Sequence, residues 1–214
     1  MEKEQGRRRA PAMSVEDRRA AIVKAALPLV MEHGANVTTK QVAQVAGIAE
    51  GTVFRAFADK DELIRVCVVE AFRMDEAVDR IRQTGADVPL DDRLRTAATI
   101  LYEQMSRIGV LMQALAASGY DMRKQYDSKD DQDGPHKFFV NVTEAVGDLI
   151  AYDQDRLTIP ASHAAQLFLS LIFGIRTRYG ATTTTDAENA AYFDEITRIL
   201  LHGAIRSDLE ENRD

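Results

Sequence analysis

The residue types that most often carry out chemistry in proteins are sparse in this chain. It has a single cysteine, Cys67, and four histidines, His33, His136, His163 and His202. These five positions lack the spacing of metal ligands, and the sequence offers no nucleophile–base pair and no phosphate-cradling glycine loop. We therefore expect no metal, no cofactor and no enzymatic activity. A lone cysteine also excludes an internal disulfide and is typical of the reducing cytoplasm.

The charged residues are distributed unevenly along the chain. The whole sequence has a net charge of −7, which taken alone argues against a nucleic-acid partner. Residues 1–60, however, carry 10 Lys or Arg and 7 Asp or Glu, whereas the remainder carries 17 and 27. A basic N-terminal part on an acidic body suits a protein that places one end on a phosphate backbone.

Capping residues and glycines divide the basic N-terminal part into three short helices. Capping patterns at Ser14 and Thr38 predict the first two helix starts. Gly47 ends the second helix, and a third runs to about Phe57, so the last two helices form a helix-turn-helix. The core beneath the turn is predicted to contain Val42, Val53 and Phe57. The outward surface of the third helix is predicted to consist of Glu50, Gly51, Thr52, Phe54, Arg55 and Ala56.

The rest of the chain also has helical periodicity, which predicts an all-α fold of about nine helices. A fourth helix, capped by Asp59, has an apolar stripe that continues to about Arg82 and predicts one long rod. Further helices are expected at about 91–107, 109–118, 135–154, 160–180 and 186–208, with a loop over 119–134. The predicted parts are a disordered basic arm over 1–13, a helix-turn-helix domain over 14–60 and a helical body over 61–214.

One segment of the chain resembles a known family. Residues 38–57 read TTKQVAQVAGIAEGTVFRAF and residues 59–63 read DKDEL, which is similar to the helix-turn-helix of the tetracycline-repressor (TetR) family of bacterial transcriptional regulators. The shared features are an aliphatic-alanine pair, alanine-glycine, glycine-threonine, an aromatic residue before phenylalanine, and a lysine that opens the next helix. The resemblance implies three partners: double-stranded operator DNA, a small-molecule effector and a second copy of this chain.

The resemblance also implies which residues contact DNA. The start of the second helix is suited to phosphate contact, because free N–H groups and the helix dipole attract anions. Arg55 matches a base or phosphate reader, and Lys60 matches a phosphate-binding lysine; both could also be ordinary solvated charges. Arg7, Arg8 and Arg9 could follow a DNA groove or be a solubilising tail. The expected DNA-binding residues are Thr38, Thr39, Lys40, Glu50, Gly51, Thr52, Phe54, Arg55 and Lys60.

Three positions depart from the family pattern. Ala49 stands where serine is frequent, Phe54 where tyrosine is frequent, and Ala56 where histidine is common, so individual contacts differ from the pattern. Phe54 could instead belong to the core. Thr38 could serve only as an N-cap, although one geometry serves capping and phosphate contact alike. Glu50 would repel phosphate but could accept a hydrogen bond from cytosine N4.

For the body, the resemblance implies a small-molecule pocket and a twofold interface built from the last two helices. The alternative to both the pocket and the interface is that their residues simply pack within the core of one chain. A ligand beside the fourth helix would tilt that helix and weaken operator binding. The expected pocket residues are Tyr102, Met105, Ile108, Met112, Phe138, Phe139, Val142, Phe168, Phe173 and Arg176. The expected dimer-interface residues are Leu167, Leu171, Ile175, Phe193, Ile196, Leu200 and Ala204.

The function predicted from the sequence is a ligand-responsive transcriptional regulator, most simply a repressor that binds a pseudo-palindromic operator as a homodimer. Alternatives are a helical interaction module that has lost DNA binding and a small all-α enzyme. Repression and activation remain open. No apolar run approaches the ~20 residues that span a bilayer, and no secretory signal is visible, so we expect a cytoplasmic protein without a membrane partner.

Overall fold

The computed structural model describes residues 14–121, 134–179 and 186–204. Within those ranges the chain consists of α-helices and two short 3₁₀ turns and has no β-strand, which confirms the all-α prediction. No helix in these ranges is long and apolar enough to cross a lipid bilayer. The predicted arm over 1–13 and most of the predicted loop over 119–134 lie outside the described residues. The helices are α1 (Val15–His33), α2 (Thr39–Ala46), α3 (Glu50–Ala56), α4 (Lys60–Ala71), α5 (Asp75–Arg82), α6 (Leu90–Ala117), α7 (Gly134–Ala151), α8 (Ala161–Tyr179) and α9 (Asp186–Ala204).

The chain divides into two compact units. The first unit runs to Glu70 and also includes Ala114–Tyr120. Helix α1 begins where the sequence predicts, because the Ser14 side chain accepts a hydrogen bond from the backbone N–H of Asp17. Val15, at the first position of this helix, is 63 % exposed. The buried core residues of α1–α4 are Ile22, Val23, Ala26, Val30, Val42, Ala43, Val53, Leu63, Ile64, Cys67 and Val68.

The end of α6 packs closely on the turn that follows α1, inside the first unit. Gly34 has φ 58° and ψ −138°, a combination that is essentially restricted to glycine. A Cβ placed on Gly34 would lie 2.2 Å from the carbonyl oxygen of Ala114 and 2.4 Å from the Ser118 hydroxyl. The backbone N–H of Ala35 donates to that hydroxyl at 2.8 Å. Because no side chain fits between them, Gly34 permits this close backbone approach.

The second unit contains residues Ala71–Gln113 and Asp121–Asp214. Its described helices share one apolar core, to which α5, α6, α7, α8 and α9 all contribute. Helix α8 contacts both α7 and α9, and α5 contacts α7. The largest fully buried apolar side chains in this core are Ile81, Leu94, Leu101, Ile150, Phe168 and Ile172.

The long fourth helix expected from the apolar stripe is wrong, because the structure ends α4 at Ala71 and begins α5 at Asp75. A residue on another helix, which the apolar stripe of the sequence could not reveal, contacts this break. The side-chain amide of Gln104 on α6 donates to the carbonyl of Ala71 at 2.9 Å and to that of Arg73 at 3.3 Å. Carbonyls at a helix end need hydrogen-bond donors from elsewhere, so this contact stabilises the interruption. Met74 in the break is buried.

The expected division into helices at 91–107 and 109–118 is also wrong. Helix α6 runs without interruption from Leu90 to Ala117, a length of 28 residues. Gly109 lies inside this helix, although a glycine costs about 1 kcal/mol relative to alanine in a helix interior. Leu101 before it and Leu111 and Leu115 after it are fully buried. Their packing outweighs the local cost of the glycine.

A buried arginine links the start of α6 to the end of α7 in the second unit. Arg93 is only 1 % exposed and donates to the carbonyl of Leu149 at 2.5 Å. It also forms an ion pair with Asp153, whose other oxygen accepts from Arg156 at 2.7 Å. A cation at the C-terminal end of a helix compensates its dipole, so Arg93 stabilises this junction by charge as well as by hydrogen bonding.

Candidate nucleic-acid interface

The start of α2 has the capping geometry that the sequence predicts. The Thr38 side chain accepts from the backbone N–H of Gln41 at 3.2 Å. The Gln41 side chain in turn accepts from the Thr38 backbone N–H at 2.8 Å, which completes a capping box. Thr38 and Lys40 are exposed. The N-terminus of α2 therefore presents a positive dipole end and an ammonium group to solvent.

The turn between α2 and α3 is short and depends on Gly47. This residue ends α2 in the left-handed conformation, with φ 67° and ψ 31°. The N–H of Ile48 then donates back to the carbonyl of Ala43 at 3.0 Å, as in a helix end closed by a left-handed residue. Only three residues separate the two helices. The helix-turn-helix predicted from the sequence is confirmed.

Helix α3 has one buried side and one exposed side. Val53 is 1 % exposed and faces the core, as does Phe57 directly after the helix, at 2 %. The outward surface matches the sequence prediction: Glu50, Gly51, Phe54 and Arg55 are exposed, and Thr52 and Ala56 are half-buried. Phe54 is 56 % exposed, so it does not belong to the core. An aromatic ring left in water on this surface is available to a partner.

Two of the expected DNA-binding residues are hydrogen-bonded to each other. The Thr39 hydroxyl at the start of α2 donates to the Glu50 carboxylate at the start of α3, at 2.7 Å. The N-cap residue of α3, Ala49, makes no side-chain capping bond, as expected for a methyl group in place of a hydroxyl. The Thr39–Glu50 pair therefore joins the N-terminal ends of the two helices.

Lys60, the expected phosphate-binding lysine, is half-buried at the first position of α4. Its ammonium group donates to the carbonyl of Ala35 at 2.6 Å. An ammonium group has three donors, so this bond uses one of them and holds the side chain in place. The structure thus brings Lys60 next to the turn after α1, a neighbour that the sequence pattern did not indicate.

Arg19 on α1 also belongs to this region, although no sequence pattern pointed to it. One terminal nitrogen of its guanidinium donates to the carbonyl of Ala56, the last residue of α3. The other pairs with the Glu62 carboxylate of α4 at 2.7 Å. Asp59 caps α4 as the sequence predicts, because it accepts from the backbone N–H of Glu62 at 2.7 Å. A local sequence pattern cannot reveal the contact between Arg19 and Ala56, because these residues lie 37 positions apart.

Arg19 and Glu62 give the first unit a pH dependence. The hydrogen bond from Arg19, and next the backbone N–H of Ala58, lower the pKa of Glu62 below its ordinary value of 4.5. A carboxylate with a lowered pKa in the folded state contributes stability above its unfolded pKa and loses it as the pH falls through the folded pKa.

We therefore expect the free energy of unfolding of Glu62→Gln to lie below that of the wild type near neutral pH, with the difference shrinking as the pH falls below 4.5. Urea denaturation of both proteins across the acid range measures this. A difference between the two proteins that stays constant or grows toward acid pH contradicts the assigned role of the carboxylate.

Most of the expected pocket residues that the structure describes lie in or against the second unit's core, but Phe139 is 49 % exposed. Val142 and Phe168 are fully buried, and the Phe139 and Phe173 rings meet edge-to-face at 5.2 Å between centroids. The side chains of Phe138 and Arg176 lie outside the described residues. The half-buried members of the expected set are Tyr102, Met105, Ile108, Met112 and Phe173.

The expected dimer residues fall into two groups by exposure. Leu167 and Leu171 on α8 are 52 % and 38 % exposed. The members on α9, by contrast, are buried in the unit's own core, at 5 % for Phe193 and Ile196 and 7 % for Leu200. The side chains of Ile175 and Ala204 lie outside the described residues. Ile199 on α9, which the sequence analysis did not select, is 55 % exposed.

Neither a metal site nor an exposed thiol is found in the described part of the chain. No group of three His, Cys, Asp or Glu there could hold a metal ion. Cys67 is buried in the first unit, and burial raises the pKa of its thiol to about 12. The thiolate is therefore not populated at neutral pH, and Cys67 acts as a small apolar core residue.

Comparison with known proteins supports the helix-turn-helix and the fold. Residues 22–67 match the family described as bacterial regulatory proteins, tetR family. A structure described as a TetR-family transcriptional regulator from Mesorhizobium loti has a TM-score of 0.69 at 15 % identity, covering 91 % of this chain and all of that one. A TetR-family regulator from Rhodococcus sp. gives 0.58 at 17 % identity, over 88 % and 99 % of the two chains. The fatty acid degradation regulator FadR from Bacillus halodurans gives 0.56 at 14 %, over 95 % and 99 %.

Proposed function

We propose that the chain, whose residues 22–67 match the tetR family of bacterial regulatory proteins, is a ligand-responsive repressor that binds operator DNA as a homodimer. The observation that carries the proposal is the division of α3 into a buried side at Val53 and an exposed side with Glu50, Phe54 and Arg55. A helix held in this way, directly after a short turn, can enter a major groove.

The exposed side chains of α3 suit direct reading of bases. Arg55 can donate two hydrogen bonds to guanine, and the Phe54 ring can contact a thymine methyl group. The Glu50 carboxylate can accept from cytosine N4, and its bond to Thr39 at 2.7 Å holds it at the N-terminal end of α3. Gly51 beside it carries no side chain, so the backbone of α3 can approach the DNA closely.

Phosphate contacts are proposed for the residues around the base-reading surface. The N-terminus of α2, with Thr38 and Lys40 exposed, can bind a phosphate through free N–H groups and the ammonium group. Thr52 on α3 can add a hydroxyl contact. Lys60 keeps two donors beyond its bond to Ala35, which a phosphate can use. Such contacts fix the position of the protein on the duplex but carry no sequence information.

A second copy of the chain is proposed to cover the exposed apolar side chains of α8 and α9. Leu167 and Ile199 are more than half exposed, and Leu171 is exposed as well. Large apolar side chains left in water often mark an interface. Phe193, Ile196 and Leu200 have little surface left to bury. They would lie under the interface, in the core of their own chain, and contact the second copy little. The two helix-turn-helix units of such a dimer, related by a twofold axis, would bind half-sites roughly 34–36 Å apart.

The proposed effector site lies among the half-buried residues of the second unit. Tyr102, Met105, Ile108 and Phe173 pack against its apolar core, a lining suited to a small molecule with an apolar part. Bound effector is proposed to weaken operator binding roughly 5–150-fold, the range of typical coupling energies. The tilting of one long fourth helix is not the route, because α4 and α5 are separate helices.

Single substitutions test the proposed division of labour in DNA recognition. Arg55→Ala should relax sequence preference at one base pair by about 1–3 kcal/mol, because a bidentate base contact is lost. Lys60→Ala should weaken binding to all sequences. It should also lower the slope of log affinity against log salt concentration by about one, the share of one phosphate contact. Fluorescence anisotropy with duplexes of matched and changed sequence, at several salt concentrations, measures both effects.

The matched control for these two variants is Arg107→Ala, which removes one exposed positive charge from α6 in the second unit. It should leave affinity and salt dependence unchanged. Identical behaviour of the Arg55 and Lys60 variants would refute the assignment of one to bases and the other to phosphates. Absence of any DNA binding by the wild type would favour a helical interaction module that has lost this function, as the uncapped start of α3 at Ala49 permits.

A further inference from the structure

Helix α3 is held only weakly by apolar packing. It has seven residues, and Val53 is its only buried residue. Phe57, directly after the helix, is the next buried apolar side chain, and two such side chains fix the angle of a short helix less firmly than a longer apolar side would. The start of the helix lacks a side-chain cap at Ala49. Polar contacts at the two ends therefore help to fix the angle at which α3 projects.

Arg19 makes the polar contact at the C-terminal end of α3. Its guanidinium reaches from α1 to the carbonyl of Ala56, the last residue of the helix. The same group lies 4.3 Å from the ring centroid of Phe57, and it pairs with Glu62 on α4 at 2.7 Å. A cation at a helix C-terminus is favoured by the helix dipole. One side chain thus ties the end of α3 to the two neighbouring helices.

Glu62 closes this arrangement from the other side. Its second carboxylate oxygen accepts from the backbone N–H of Ala58 at 2.6 Å, in the turn between α3 and α4. Its own N–H donates to Asp59 at 2.7 Å. The turn is therefore held by Arg19 at Ala56 and by Glu62 at Ala58. Neither end of the turn can shift without breaking a charge-assisted hydrogen bond.

We propose that Arg19 is a positioning residue that sets the angle of α3, and that sequence discrimination depends on it although it does not touch the DNA. The proposal rests on the proposed function in DNA binding. Both terminal nitrogens of Arg19 are committed to protein acceptors, so the side chain acts through the base-reading residues. Arg55 directly precedes Ala56, and a change in the angle of α3 would displace its guanidinium from the base edge.

The test compares Arg19→Gln with the wild type on a duplex selected from a random pool by the wild-type protein and on an unrelated duplex. We expect affinity for the selected duplex to fall roughly ten-fold, the scale of one mismatched base pair. Affinity for the unrelated duplex and the salt dependence should stay close to the wild-type values, because no phosphate contact is lost. Measurements are made where circular dichroism shows both proteins folded.

Two further variants keep the test decisive. Glu62→Gln weakens the same junction while Arg19 remains, and should reduce discrimination in the same direction by a smaller factor. Lys24→Gln removes one exposed positive charge from α1 and should leave discrimination unchanged. If Arg19→Gln fails to fold, Glu62→Gln provides the readout of discrimination.

Three results overturn the proposal for Arg19. A lower melting temperature with unchanged discrimination makes Arg19 a structural residue only. Equal loss on both duplexes, with a reduced salt dependence, makes it a phosphate contact.

The third result comes from Arg19→Lys. This variant should not restore discrimination, because one ammonium group cannot hold Ala56 and Glu62 in the same fork geometry. Full restoration counts against the proposed geometry. A wild type without any sequence preference refutes the proposed function itself, and this inference with it.

Discussion

Gly34→Ala is expected to destabilise the first unit by about 3 kcal/mol or more, as the sum of backbone strain and overpacking. The residue has φ 58° and ψ −138°, and the added methyl group would lie 2.2 Å from the carbonyl oxygen of Ala114. That oxygen belongs to the α6 backbone and cannot rotate away as a side chain would. Relief would require breaking the hydrogen bond between Ala35 and Ser118. Urea denaturation followed by circular dichroism measures the loss.

The matched control is Gly51→Ala in the same unit. Gly51 lies inside α3, and a Cβ added there would meet nothing within 4 Å. Alanine in a helix is favoured over glycine by roughly 0.5–1 kcal/mol, so this variant should be as stable as the wild type or slightly more stable. Equal stability of the two glycine variants would contradict the close packing of α6 on the turn after α1.

The double variant Leu167→Glu with Leu171→Glu is expected to abolish the proposed homodimer. Both side chains are exposed on α8, and four carboxylates brought together in an apolar twofold interface would remain unpaired, at a cost of several kcal/mol. A monomer presents one helix-turn-helix unit to one half-site. Operator affinity should therefore fall at least about 100-fold, since a large share of specific affinity depends on both half-sites. Analytical ultracentrifugation and anisotropy measure the two effects.

The control for this double variant is Val110→Glu. Val110 is 49 % exposed on α6 and lies outside α8 and α9, so its replacement should leave the protein dimeric and its operator affinity unchanged. Retention of the dimer by the Leu167, Leu171 variant would place the interface elsewhere. A wild type that sediments as a monomer at all concentrations would contradict the homodimer altogether.

The helix-turn-helix could be predicted from the sequence because its determinants are local. The capping box of Thr38 and Gln41 and the left-handed Gly47 are decided within a few residues of each other. The alternation of buried Val53 and exposed Phe54 and Arg55 follows from helical spacing alone. Local patterns of this kind fix where a short helix begins, where it ends and which side it presents.

The contacts that position these helices could not be predicted from the sequence, because they join distant residues. Arg19 meets Glu62 across 43 positions, and Ser118 meets Ala35 across 83 positions. The break after α4 depends on Gln104, which lies 33 positions beyond Ala71. The apolar periodicity continues through this break, although α4 buries its apolar side in the first unit and α5 buries its own in the core of the second unit. Tertiary hydrogen bonds decide the boundary in this case.

The α9 residues expected at the dimer interface illustrate the same limit. Helical spacing correctly selected Phe193, Ile196 and Leu200 as an apolar stripe, but spacing cannot distinguish a core inside one chain from an interface between two. The structure buries this stripe in the second unit's own core and leaves Ile199 exposed. Solvent exposure in the folded chain is what separates the two kinds of apolar position.

Binding of the purified full chain to DNA selected from a random pool tests the central claim most directly. We expect two copies of the protein to bind a pseudo-palindromic duplex whose half-sites lie about one helical turn apart, with an affinity that falls steeply as salt is added. A stable monomer that retains no duplex of any sequence, even at low ionic strength, would contradict the account.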